Sequence, residues 1–256
     1  MTITVTLIGI AAISWGFTIY GLVDYWLITG PKEEAAMTEL VNVALDAEML
    51  AARRPEQLQI ESVAVLGGAG KYDLAVKIIN PNPNWYLAFD YKFAAGGKDL
   101  PAGRGFILPG EEKYLVNLGA EFPERPADAA VIFERVKWQR ISAHEIPDYQ
   151  AFAAAHLKLD VLDKNFESLA DKLTFNQLDF KIKNNTAYSY WNVDAPILLF
   201  RGSNLVGANF VSLSRFLSGE TRAVSLQWKD SGAEPSEIKI LPSVNIFDPA
   251  VYMPPR

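Results

Sequence analysis

Two histidines, no cysteine and scattered carboxylates are what this 256-residue chain offers for chemistry. His144 is followed by Glu145, but no second His lies one helical turn away, and Pro147 would interrupt the helix that a zinc-binding His pair needs. His156 comes twelve positions later. Both are read as surface or capping side chains, because a metal site requires three or four convergent donors. The absence of Cys removes thiolate ligands and cysteine nucleophiles together. There is no Gly-x-Ser-x-Gly elbow for a serine hydrolase. Gly70 and Lys71 fall short of a phosphate loop, since Val65 stands where its first glycine belongs and Tyr72 where its Ser or Thr belongs. Asp160 and Asp163 lack the spaced oxygen donors of a calcium loop. Asn184, Asn185 and Thr186 form an N-glycosylation sequon. The chain is therefore read as having no catalytic, cofactor-binding or metal-binding residue.

Composition narrows the partners. Half the residues are hydrophobic and 21% are charged, which is too apolar for disorder. A net charge of -6 argues against nucleic acid, whose phosphates demand clustered Lys and Arg.

What such a chain must position is first a membrane segment. From Ile3 to Val23 no residue is charged. About 20 apolar residues rising 1.5 Å each cross a hydrocarbon core of roughly 30 Å. This segment is longer than the apolar region of a cleaved signal peptide and lacks its basic start, and soluble core helices seldom run so far without a charge. Ile10, Ile13 and Phe17 lie inside the predicted anchor. Tyr20, Tyr25 and Trp26 surround Asp24 at its exit, where rings with one wet edge favour the headgroup zone. Gly9, Ala12, Ser14, Gly16 and Gly21 are small, but the Gly-x-x-x-Gly spacing of helix pairing does not occur. One lysine near the span, Lys32, does not decide its orientation.

Gly30 and Pro31 are expected to break this helix and open a second. Glu33 and Glu34 begin it, Arg53 and Arg54 end it and Pro55 stops it, an arrangement that suits the helix dipole. Met37, Leu40, Val41 and Ala44 recur at the helical period, followed by Ala47 and Ala51. That face packs on the first domain as a spacer or meets a protein partner or a second copy of the chain.

Beyond Leu58 the pattern alternates, as half-buried strands do. Ile60 to Leu66 and Tyr72 to Ile79 flank a Gly-rich hairpin turn. Trp85, Leu87, Phe89, Tyr91 and Phe93 share one face, read as core, with Tyr86 and Ala88 on the other. Two stretches then match in order. Leu74, Lys77, Ile78, Asn80, Trp85, Phe106, Gly110, Glu111 and Leu115 are answered by Leu178, Lys181, Ile182, Asn184, Trp191, Phe216, Gly219, Glu220 and Leu226. The last strands are predicted around Val131 to Trp138 and Ile238 to Ile246, pairing Val136 with Val244. The second stretch has about five more residues before its Gly-Glu turn, so a longer hairpin or bulge is expected there. The expected fold is mainly β: an N-terminal transmembrane helix and an amphipathic helix, then two tandem antiparallel immunoglobulin-like β-sandwich domains. The boundaries are 1–30 for the anchor, 31–55 for the second helix, 56–141 for the first sandwich, 142–157 for a linker with a short helix, and 158–256 for the second sandwich. The Pro-rich tail from Pro249 is expected to be extended or loose.

This order of landmarks resembles the FxLYD-type and late-embryogenesis-type immunoglobulin-like sandwiches of membrane-anchored prokaryotic proteins. The first copy carries it on Asn80, Trp85, Phe89, Tyr91, Gly97, Pro109, Gly110 and Glu111. The second carries it on Asn184, Trp191, Val193, Leu199, Gly202, Gly207, Ser218, Gly219 and Glu220. Neither copy has the Leu-Tyr-Asp string, and Phe89-Asp90-Tyr91 is a relative of it. The resemblance implies non-catalytic modules for adhesion, spacing or assembly, displayed outside the cytoplasm; with the predicted anchor, the expectation is a single-pass cell-membrane protein whose partners are the lipid bilayer and another protein or a second copy of the chain. Alternatives are a subunit of a pilus or secretion apparatus and a membrane-tethered hydrolase without a recognisable motif.

Overall fold

The computed structural model describes residues 2–44, 54–168, 175–229 and 234–254. The chain divides into two compact units, Met1–Pro55 and Glu56–Arg256.

In the first unit, α1 (Thr2–Asp24) runs through a π-helical turn (Tyr25–Thr29) into α2 (Gly30–Ala44). The expected break at Gly30 and Pro31 is absent. Proline has no N–H to donate and its ring crowds the carbonyl four residues back, and here the turn just ahead of it is widened instead of ended. Gly30 donates its N–H to Tyr25 O, five residues back. A Cβ at Gly30 would lie 2.9 Å from that oxygen, so the close approach depends on glycine. Thr29 Oγ1 donates to Asp24 Oδ2 across the same turn at 3.3 Å. The predicted continuation of α2 through Ala47, Ala51 and Arg53 lies outside the described residues, and Arg54 and Pro55 are not helical.

The second unit is two tandem antiparallel sandwiches. In the first, β1 (Gln59–Ile60), β2 (Ala64–Gly68), β3 (Lys71–Ile79) and β7 (Glu112–Glu121) make one sheet. The other holds β4 (Trp85–Ala95), β5 (Lys98–Asp99), β6 (Gly103–Ile107) and β8 (Ala130–Arg140). A short helix, α3 (Tyr149–His156), follows, its N-terminus capped by Asp148 Oδ1 accepting from Ala151 N at 3.0 Å. In the second sandwich β9 (Leu159–Ser168) and β13 (Thr221–Lys229) flank β10 (Phe175–Asn184), while β12 (Asn204–Phe216) and β14 (Glu237–Ile240) flank β11 (Tyr190–Arg201). The strand order is the same in both sandwiches: β3 and β10 are central in one sheet, β4 and β11 in the other.

Alternation builds each core. Leu74, Val76 and Ile78 face Leu87, Phe89, Phe93 and Ile107 in the first. Leu178, Phe180 and Ile182 face Tyr190, Val193, Ile197 and Phe216 in the second.

One end of each sandwich is closed by a buried asparagine. Asn80 Nδ2 donates to Trp85 O at 2.7 Å and Leu108 O at 2.9 Å, and its Oδ1 accepts from Asn82 N at 3.0 Å. Asn184 Nδ2 donates to Tyr188 O at 2.8 Å and Leu217 O at 3.1 Å, and its Oδ1 accepts from Thr186 N at 3.0 Å. Beside each, the Gly-Glu turn folds back alike: Glu111 Oε2 accepts from Leu108 N at 2.7 Å and Glu220 Oε2 from Leu217 N at 2.8 Å. Gly110 and Gly219 hold φ of +66° and +75°, which explains glycine at both corners.

This register corrects three of the expected matches. Tyr188, whose carbonyl takes the asparagine bond, occupies the place of Trp85, and Trp191 stands three positions later with its ring half exposed. Leu115 pairs with Val76, and the residue so placed in the second sandwich is Val224, opposite Phe180; Leu226 lies opposite Leu178. Val136 is half exposed on β8, whereas Val244 is buried beyond the end of β14. The ladder to β11 ends where Leu241 N donates to Pro196 O at 3.1 Å, because Pro242 next to it has no N–H, and it resumes at the Ser243–Asp194 bridge. The extra residues of the second sandwich lengthen the β11–β12 hairpin, where β12 is continuous and its counterpart is split into β5 and β6.

Replacing Asn184 by Ala strands two buried carbonyls and an N–H, and is expected to lower unfolding free energy by about 2–4 kcal/mol. Asn185→Ala, at an exposed neighbour, should cost under about 1 kcal/mol by the same measure. Urea unfolding of the two variants checks this, and equal effects would refute the corner's structural weight.

Candidate functional site

The side chains assigned to the anchor stand outward. Ile10, Ile13, Phe17, Tyr20 and Trp26 are all exposed, as are Leu7, Ile8 and Trp15 between and before them. A helix apolar on every side suits a nonpolar medium, because water offers it no face to hide. Among the described residues one helix, Leu7–Glu39, is long and apolar enough to cross a membrane. Of the assigned contact face, Met37 is exposed on α2. Leu40, Val41 and Ala44 follow on the same helix by backbone position, and their side chains lie outside what is described.

No cluster of three or more His, Asp or Glu that could hold a metal occurs among the described residues. His144 is exposed. Of the surface and capping roles expected for His156, the structure shows the second: it is buried at the end of α3, one ring nitrogen 2.7 Å from Phe152 O in the last turn, its face stacked on Tyr188 with centroids 4.1 Å apart. Tyr190 Oη donates to His156 O at 2.5 Å. The sequon asparagine, Asn184, is wholly buried with both amide donors engaged, so the folded chain presents no free amide there. Asp163 is paired with Lys181 at 2.8 Å and Asp160 accepts from Asn185. The tail is ordered rather than loose through Pro254. A 3-10 turn (Pro249–Val251) leads to Tyr252, whose hydroxyl donates to Ile246 O at 2.8 Å beside Tyr188 and Tyr190.

The sandwiches meet through their outer sheet faces. Leu66 of β2 and Ala75 of β3 pack with Leu198 and Phe200 of β11 and Ala208 of β12. Tyr114 meets Phe200 edge-on at 6.3 Å, and Tyr86 stacks on Phe247 at 4.2 Å. Sequence reasoning missed this junction although a signal existed. Ala195 to Phe200 is an unbroken apolar run, the mark of a strand covered on both faces, and all six residues are buried.

Beside the junction opens a cleft of about 350 Å³. Phe106, Phe210, Leu118 and Pro196 supply apolar wall, and Tyr91, Lys113 and Asp194 supply polar groups. Lys113 starts near the head of β7, and its Nζ donates to Ser243 Oγ of the second sandwich at 2.7 Å. It lies over the Phe106 ring, 3.2 Å from the centroid, with Glu111 Oε1 at 3.8 Å. Burial lowers the Lys113 pKa to about 8, outweighing the attraction of Glu111 and Asp194 for its charge. Burial raises the Tyr91 pKa, and Asp194 adds to the effect, which keeps the phenol protonated. The cleft therefore brings together a desolvated amine, a carboxylate and a neutral phenol.

A lysine whose folded pKa is depressed binds fewer protons in the folded than in the unfolded chain between about pH 8 and 10.5, so stability rises with pH across that window. Above pH 10 the raised tyrosines oppose the trend, because their folded forms resist ionisation. Unfolding free energy is expected to climb from pH 8 to 10. Lys113→Met should flatten that climb and add about 1–3 kcal/mol at pH 7. Denaturant titrations at stepped pH measure both; a wild-type profile that falls from pH 8 to 10 contradicts the assignment.

No family model and no curated protein matches the chain. Among solved structures, the crystal structure of red sea bream transglutaminase is similar over 76% of this chain at 10% identity and a TM-score of 0.19, and the match spans 30% of the transglutaminase chain.

Proposed function

We propose that this chain is a single-pass, membrane-anchored, non-catalytic structural or interaction protein of the cell envelope that holds two immunoglobulin-like domains outside the cytoplasm. The observation that carries this reading is the contrast between its units. One is a helix exposing apolar side chains on all sides. The other is a β unit whose buried asparagines are engaged in holding its own backbone. The recurring strand order and the paired Asn and Gly-Glu corners favour two copies of one domain, related by duplication and akin to the FxLYD-type modules. The lipid bilayer is the first partner. The face of Met37, Leu40, Val41 and Ala44 is the contact for a protein partner or a second copy.

Substituting Ile10 and Ile13 by Asp places two charges in the span, each opposed by about 2.5–3.5 kcal/mol at its centre. The double variant is expected to leave the membrane fraction, and unchanged sedimentation with membranes sinks the anchor. Protease added to intact cells or spheroplasts should digest the chain beyond residue 55 without lysis. Protection until lysis reverses the orientation.

A further inference from the structure

We propose that the cleft between the two sandwiches is a binding site for a small apolar aldehyde, which Lys113 captures as an imine. This goes beyond a display role, since it assigns a ligand chemistry to a place that anchoring and spacing do not use.

The geometry carries the assignment. The cleft, of about 350 Å³, has room for a ring-sized molecule, and Phe106, Phe210, Leu118 and Pro196 give that molecule apolar wall. Lys113 is the amine that lines it. Its ammonium form is held by Ser243 Oγ, Glu111 and the Phe106 face, yet its burial favours the neutral amine. The charged groups around it are Glu111 and Asp194, with Arg104 at the lining, exposed and 4.0 Å from Asp90. Two carboxylates beside the amine disfavour an anionic ligand, which leaves a neutral carbonyl as the electrophile that fits.

The chemistry balances without another reactant. The nitrogen lone pair of neutral Lys113 adds to the carbonyl carbon, the C=O π pair moves to oxygen, and an N–H proton reaches that oxygen to give a carbinolamine. Loss of the hydroxyl with the remaining N–H proton releases one water and leaves the C=N bond. Glu111 and Asp194 are the bases near the amine. Tyr91, kept neutral in the same cleft, is the acid at hand for the departing hydroxyl.

Other lysines serve as internal controls. Lys77 and Lys92 are each gripped by two carboxylates that raise their pKa, and Lys71 is exposed beside Glu121 at 3.6 Å. At pH 7.5 an amine of pKa about 8 is roughly a quarter neutral, against about 0.1% at the ordinary value of about 10.5.

The test treats the full-length protein in detergent micelles with benzaldehyde and cyanoborohydride, then maps benzylated lysines by peptide mass. Lys113 should be labelled at least about tenfold faster than Lys71 at pH 7.5, with a rate that saturates in benzaldehyde and a half-maximum near pH 8. Asp194→Asn removes a charge that favours the ammonium, and is expected to move that half-maximum to lower pH. Leu118→Trp, which fills the cleft's edge, should slow Lys113 labelling several-fold while Lys71 is unchanged, with an unaltered melting curve showing that the fold is kept. Labelling of Lys113 no faster than Lys71, or a rate linear in benzaldehyde, or a half-maximum above pH 10, overturns the proposal. None of these outcomes bears on whether the chain fractionates with membranes.

Discussion

A carbonyl that points into the end of a sandwich has no neighbouring strand to bond and no water to replace one. That constraint governs the arrangement of both β domains. At each pole the end of one central strand, the approach to the next and the end of β6 or β12 converge, and a single primary amide joins them with two donors and one acceptor in a fixed plane. A carboxylate there would lack the donors and bury a charge. The residue two positions later completes the joint differently in each sandwich. Asn82 exchanges hydrogen bonds with the Glu56 backbone, tying down the start of the unit, while Thr186 bonds Asn184 Oδ1 and Tyr188 O through its hydroxyl. With the poles fixed, the lengths of the strands leaving them are free to differ, as β12 and its split counterpart do.

Much of this was legible in the residues because burial imposes a period. Alternation from Leu74 to Ile78 and from Leu87 to Phe93 placed the core faces, and the Asn and Gly-Glu landmarks marked corners that backbone geometry demands. Residue identity without geometry misled. Trp85 and Trp191 share a letter and a neighbourhood, but the position is defined by which carbonyl the asparagine reaches, and Tyr188 holds it. Gly30 and Pro31 read as a break between two helices because a helix interior has no place for the proline ring, whereas one wide turn makes that place. The cleft was invisible for a different reason: Lys113 stands in no motif, and its hydrogen-bond partner Ser243 lies 130 positions along the chain.

The junction between the sandwiches is built from three kinds of contact with different ranges. Apolar packing around Leu198 and Phe200 is non-directional and sets how closely the sheets approach. The Tyr86–Phe247 stack fixes rotation, since ring faces tolerate little shear before contact is lost. The Lys113–Ser243 hydrogen bond adds a polar tie whose strength depends on a charge that burial disfavours. α3 contributes by its rings, with Phe152 between Phe247 and His156, so the connector is part of the packed body.

The widened turn between α1 and α2 has a rotational meaning. An ordinary helix advances about 100° per residue, so a turn that closes on the fifth residue instead of the fourth carries one residue more than the ideal ladder and offsets the azimuth of everything beyond it by about that angle. The stripe that contains Met37 therefore does not continue the stripe a reader would draw from Ile10 and Ile13 down a uniform cylinder. Tyr25 to Thr29 acts as a phase setting for the helix, and a one-residue deletion there would re-aim α2 without changing any residue that α2 presents.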